Sequence, residues 1–197
     1  MRTRYLAVSA TVAAVAAVSL FPGVAQADDE PVTTTLTGGT LALTSFGFAL
    51  GPRNLTGADQ VFAAVDSSTG WSVNDARGTT GAWTVTVSGT DLTSVAGTGA
   101  GYNTIKTLGN ENMKLNAPTV TPGAGADATP PTGTAINAID TTAATLVASA
   151  VGGSKGLYNF TPAMVLTVPA NTQASNYATG ATGPQNAHTA TLTVTLA

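Results

Sequence analysis

The strongest constraint in this chain is a two-residue rhythm. In "GAWTVTVSG" (81–89), Trp83, Val85 and Val87 alternate with Thr84, Thr86 and Ser88. In "HTATLTVTLA" (188–197), Leu192, Val194 and Leu196 alternate with Thr191, Thr193 and Thr195. A period of two sends successive side chains to opposite faces of a strand, so each stretch has one apolar face and one hydroxyl-lined face. Threonine suits the second face because its branched β-carbon fits a pleated, half-wet surface. Two such strands, far apart in sequence, can share one core or pair side by side. Pairing would make their threonine rows neighbours.

The rest of the chain after the N-terminal segment reads as further strands punctuated by Gly, Pro and Asn. "GGTLALTSFGF" (38–48) alternates Leu41 and Leu43, then Phe46 and Phe48, with a slip between the pairs. "GWSVNDARGTTGAWTVTVSG" (70–89) predicts two strands around an "NDARGTTG" turn, and "MKLNAPTVT" (113–121) predicts another strand. "LYNFTPAMVLTVPAN" (157–171) puts Met164, Leu166 and Val168 on one side, with Val165 and Thr167 on the other. "GADQVFAAV" (57–65) fits either a strand or one helical turn. A Pro/Gly-rich loop is expected near 118–133, exposed in its later part. With no interpretable long helix, the expected fold is all-β, an antiparallel β-sandwich or barrel-like single domain.

The N-terminus has another character. Arg2 and Arg4 lead into an apolar run that ends in Ala25-x-Ala27, followed by "DDE". A basic start, an apolar middle and a small-residue site define a signal peptide over 1–27, leaving residues 28–197 as one secreted domain. The apolar run is near the length of a membrane span, but the cleavage site leaves no membrane anchor expected in the mature chain. There is no cysteine, so such a domain holds together by packing alone, and thiol catalysis and thiolate metal sites are excluded. Losing Arg2 and Arg4 leaves five of the seven basic residues against ten acidic ones, a net charge of −5. No basic patch is present, so nucleic acid is not an expected partner. Charged residues make up only 9% of the chain. A surface rich in Thr, Ser and Asn then suits neutral polar groups such as sugars.

Three stretches carry a resemblance to a known family. "SVNDARGTTGAWTVTVSGTDLT" (72–93) resembles the proximal motif region of the WxL domain, a Gram-positive surface domain, where an Asp-x-Arg-Gly turn precedes a Gly-Trp strand. "YNFTPAMVLTVPAN" (158–171) is similar to the segment before the family's distal motif, and "HTATLTVTLA" (188–197) to that motif itself. Trp83-Thr84-Val85 stands in the proximal Trp-x-Leu position. His188 replaces the distal Tyr and Val194 the distal Trp, while Leu192, Thr193 and Leu196 match. The resemblance implies a secreted β-rich domain that binds cell-wall peptidoglycan non-covalently.

The candidate binding residues follow from both readings. Trp83 beside a threonine row could cover the apolar face of a sugar while hydroxyls take its polar groups; equally, sharing a face with Val85 and Val87, it could fill the core. Trp71, at a strand start after Gly70, is expected to be the more exposed of the two. Thr84, Thr86, Thr193 and Thr195 complete the candidate site. His188, the only histidine, reads as a packing or strand-end residue rather than part of a metal site or triad. Asp66, Asp75 and Asp91 have no calcium-loop spacing, and Asp75 is expected to organise a turn with Arg77 and Gly78. "GTGAGYN" (97–103) is not a phosphate-binding fingerprint, and no nucleophile motif such as Gly-x-Ser-x-Gly is present. The expected protein is non-enzymatic, with no cofactor and no metal, and bound to peptidoglycan. The alternative is a structural or adhesive envelope subunit that binds surface proteins through the exposed edge of 188–197.

Overall fold

In the computed structural model of the protein, residues 33–150 and 152–197 are described, so the expected leader over 1–27 lies outside them. The chain divides into two units, Met1–Leu36 and Thr37–Ala197, and the strands among the described residues lie in the second. The alternating stretches form strands, and short segments between them add more. In chain order these are β1 (Leu41–Thr44), β2 (Gln60–Asp66), β3 (Trp71–Asp75), β4 (Thr84–Gly89), β5 (Leu92–Ser94), β6 (Lys106–Leu108), β7 (Met113–Leu115) and β8 (Val120–Pro122). There follow β9 (Thr132–Gly133), β10 (Ala144–Ala148), β11 (Gly156–Phe160), β12 (Ala163–Val168), β13 (Tyr177–Thr179), β14 (Thr182–Gln185) and β15 (Leu192–Leu196). The open segment 57–65 therefore belongs to a strand.

All pairings between these strands are antiparallel. The sheet orders are β1-β3-β11-β8, β15-β4-β10-β9 and β2-β12-β7, with two-stranded ribbons β13-β14 and β5-β6. The fold is thus all-β, and no closed barrel forms among the described residues. The two Thr-rich strands do pair: β15 lies on β4 with Thr193 opposite Ser88, Val194 opposite Val87 and Thr195 opposite Thr86. Thr86 also faces Thr145 on β10, so a threonine row crosses three strands.

One core joins the sheets. Val73 and Tyr158 come from the first, Val85 and Leu146 from the second, Met113 and Met164 from the third. Met164, Leu166 and Val168 are buried while Val165 and Thr167 are half-buried, as their alternation predicts.

Three expected boundaries are corrected. The stretches 113–121 and 157–171 each break into two strands in different sheets, at Asn116–Thr119 and at Thr161–Pro162. The loop near 118–133 is shorter than expected. Val120–Pro122 pairs with β11 and Thr132–Gly133 with β10, and Pro118, Val120 and Pro131 are buried. Proline is compatible with β8 because that strand lies at a sheet edge, where a missing N–H costs no ladder bond.

Candidate functional site

The two sheets that carry β11 and β12 are arms of one bent ladder. Chain 60–75 runs through β2 and β3, chain 156–168 through β11 and β12, and chain 113–122 through β7 and β8. Phe160 pairs with Trp71 on one arm and Ala163 with Asp66 on the other, and the third strand follows with Val120 and Leu115. Between the arms sits Pro162, which has no N–H to continue the ladder. Its carbonyl still accepts a hydrogen bond from the Ser67 N–H at 3.0 Å, and the Ala163 carbonyl accepts one from Asn116 N–H at 2.9 Å. The corner is therefore a hydrogen-bonded bend.

At this corner lies an open cleft of about 550 Å³. Its accessible side chains are Asp66, Asn116, Thr119, Thr121, Asn159 and Thr161, all exposed. Its floor includes Trp71 and Phe160, buried and packed nearly edge-on with ring centroids 6.1 Å apart. The Thr121 hydroxyl donates to the Asn159 carbonyl at 3.1 Å, which ties β8 to β11 at the cleft. Asparagine amides and threonine hydroxyls both donate and accept, so the lining offers neutral, bidirectional hydrogen bonding with Asp66 as its one carboxylate. The volume falls in the range of small-ligand sites.

Of the two tryptophans only Trp71 borders the cleft, and neither presents its ring to it. The Trp83 side chain is enclosed, at 1% exposure. Its indole N–H donates to the Ser154 carbonyl at 3.1 Å, and its ring packs on Tyr158 at 6.2 Å, bridging the β4 sheet to the β11 sheet. Trp71, expected to be more exposed, is also at 1%. Its indole N–H donates to the Phe46 carbonyl at 2.9 Å, with Phe48 and Phe160 against the ring. Of the two readings of Trp83, the core one holds, and neither indole has a face free for a sugar ring. The reason is packing: each ring sits between layers, where a large apolar side chain contributes most.

Thr84 and Thr86 are half-buried, and Thr193 and Thr195 are exposed, all on the outer face of the β15-β4 pair. They form a flat row away from the cleft lining. The turn after β3 is built as expected. The Asp75 carboxylate, buried, accepts from Arg77 Nε and Nη2, both at 2.9 Å, and from the Arg77 backbone N–H at 3.1 Å. Arg77 Nη2 also donates to the Gly81 carbonyl, and Gly78 takes the left-handed conformation. The Arg77 hydrogen bonds hold the Asp75 carboxyl below the usual carboxylate range, outweighing the opposing effect of burial. Asp91 serves a different turn, accepting from the Asn110 N–H at 2.9 Å. Among the described residues no three of His, Asp and Glu converge. His188 is half-buried, with Nδ1 2.8 Å from the Ser175 hydroxyl, and burial lowers its pKa.

The cleft residues Asn116, Thr119, Thr121, Asn159 and Thr161 are not among those the alternation singles out. The available signal was proline: "NAP" and "NFTP" place Asn116 two residues before Pro118 and Asn159 three before Pro162, inside stretches that otherwise read as single strands. Fold and cleft together define an all-β domain with a mostly uncharged polar cleft at a sheet corner. No family model, curated protein or solved structure matches the chain.

Proposed function

We propose that this is an exported, non-enzymatic surface protein that associates non-covalently with the peptidoglycan of the cell wall, with the corner cleft as its contact. The observation that carries the reading is the cleft lining: exposed amides and hydroxyls, with Asp66 the one charged side chain. N-acetylated glycan strands present hydroxyls and amides to match. A single carboxylate at the cleft favours binding over glycoside hydrolysis, which uses two. The signal-peptide pattern over 1–27 and the WxL-like stretches point to the same compartment.

The test is co-sedimentation with purified, protein-free Gram-positive sacculi at low and high salt. Retention at both is expected, because neutral hydrogen bonding is only weakly screened. Asn159→Ala should weaken retention about tenfold, the loss of one to two hydrogen bonds, with an unchanged unfolding midpoint. Failure of the wild type to pellet at either salt would sink the reading.

A second reading is favoured by one observation: β15 is a sheet-edge strand. A protein partner on that edge would make the chain an adhesive or structural envelope subunit. Sacculi that retain the chain only before protease treatment would select it.

A further inference from the structure

Strand β15 reads Leu192-Thr193-Val194-Thr195-Leu196, which is the same sequence in both directions. Among the described residues its one ladder partner is β4. The direction of its free hydrogen-bonding groups follows from the flanking bonds. Ala197 and Thr84 exchange both backbone bonds, at 2.8 and 3.0 Å, and the Thr191 carbonyl accepts from Thr90 N–H at 3.0 Å. In an antiparallel ladder the bonded residues alternate. Thr193 and Thr195 therefore turn their backbone groups toward β4, while Leu192, Val194 and Leu196 turn theirs outward to the open edge.

We infer that β15 pairs antiparallel with the β15 of a second copy, about a two-fold axis through Val194. In that register Val194 meets Val194, and Leu192 of each copy meets Leu196 of the other. These are the residues with outward N–H and C=O groups, so each of them finds a partner. A two-fold axis perpendicular to the sheet keeps both cores on the same side. Leu192, Val194 and Leu196, only half-buried against the core of one chain, then cover one another. Thr193 of each copy faces Thr195 of the other on the outer face. A two-fold interface requires a patch complementary to itself, and a palindromic strand with matched outward groups meets that requirement.

Charge and edge design point to the same occupant. The whole chain is acidic, yet no charged residue lies between Asn186 and Ala197, so two copies meet here without like-charge contact. Four other sheet edges carry features that discourage pairing, namely Asp66 on β2, Lys114 on β7, Pro122 on β8 and extreme shortness in β9, while β1 (Leu41–Thr44) is uncharged but not palindromic. Strand β15 has none of these. The inference is independent of wall binding, since the cleft lies on other strands.

The full chain is examined by light scattering across a concentration series, where a concentration-dependent dimer is expected. Thr193→Lys with Thr195→Lys changes only exposed side chains and sets lysines opposite lysines. It should raise the dimer dissociation constant at least tenfold without altering the far-ultraviolet dichroism. In a second arm, Val194→Cys is treated with a short bis-maleimide; the chain has no other cysteine. Strands lie about 4.8 Å apart, so Val194→Cys should cross-link within the dimer. Thr145→Cys on β10, about 24 Å from its mate across five strand spacings, should not. A monomer at every concentration overturns the inference. So does a dimer untouched by the paired lysines, or cross-linking of Thr145→Cys as efficient as that of Val194→Cys. If the lysine variant fails to fold, the cross-linking arm decides alone.

Discussion

At the scale of single residues, the side chains that look most like ligand-binding groups hold the fold together. Trp83 heads an apolar strand face beside threonines, a pattern that suits either a sugar platform or a core plug. Its enclosure between two sheets, with its N–H bonded to Ser154, makes it the plug. Trp83→Ala should therefore cost about 3–5 kcal/mol, the usual range for emptying a large aromatic site, read as a lower urea midpoint. A wild-type midpoint in that variant would return the ring to the surface. Asp75 is a second case. Its carboxyl pKa is held below the ordinary value of 3.8 by Arg77. A depressed folded-state pKa adds stability that is present above the unfolded value and lost as pH falls through the folded one. Asp75→Asn should thus be less stable than wild type at pH 7. The gap between the two should narrow once pH falls below about 4, in urea titrations stepped from pH 7 to pH 3. A gap independent of pH would mean that the ion pair is not its source.

At the scale of elements, the corner is where sequence reading was least informative. The alternation in 83–88 and 192–196 is sufficient to find β4 and β15, because period-two patterns report faces directly, but it left a shared core and side-by-side pairing as alternatives, and the structure shows the pairing. It could not divide 157–171, since Tyr158, Phe160, Met164, Leu166 and Val168 are buried on both sides of Pro162 and the pattern carries across the bend. Nor could it identify the cleft, because Asn159 and Thr121 become neighbours only through a pairing between segments far apart in sequence. The Pro-rich stretch misled for a related reason: Pro118 and Pro131 are buried parts of the corner and its surroundings. Gly133 shows how closely that region is packed. A β-carbon there would collide with the Pro118 carbonyl, and backbone cannot swing aside as a side-chain end can. Gly133→Ala should cost about 1–3 kcal/mol as overpacking and should also weaken sacculus retention, because Pro118 and Thr119 line the cleft. Asn159→Ala should weaken retention alone. If Gly133→Ala lost stability but kept full retention, β9 would have no part in shaping the cleft.

At the scale of the whole molecule, the sheets stand or fall together. The buried set runs without a break from Trp71 and Val73 through Trp83 and Val85 to Leu115 and Met164, so no sheet has an apolar core of its own to fall back on. No disulfide ties any part of the denatured chain. The pairings also span long stretches of sequence: β2 at Gln60–Asp66 finds β12 at Ala163–Val168, and β4 at Thr84–Gly89 finds β15 at Leu192–Leu196. Each pairing closes a large loop before any compensating burial is gained, which slows folding more than it lowers stability. Equilibrium unfolding should accordingly be one transition, with tryptophan fluorescence and far-ultraviolet dichroism coincident. Fluorescence is a fair local reporter because Trp71 sits beside the corner and Trp83 between two sheets, both enclosed. Refolding after dilution from urea should take milliseconds to seconds, as for other sheet proteins dominated by distant pairings. A fluorescence transition that preceded the loss of dichroism would mean that the β15-β4-β10-β9 sheet survives without the bent ladder. The shared core would then be two cores in contact.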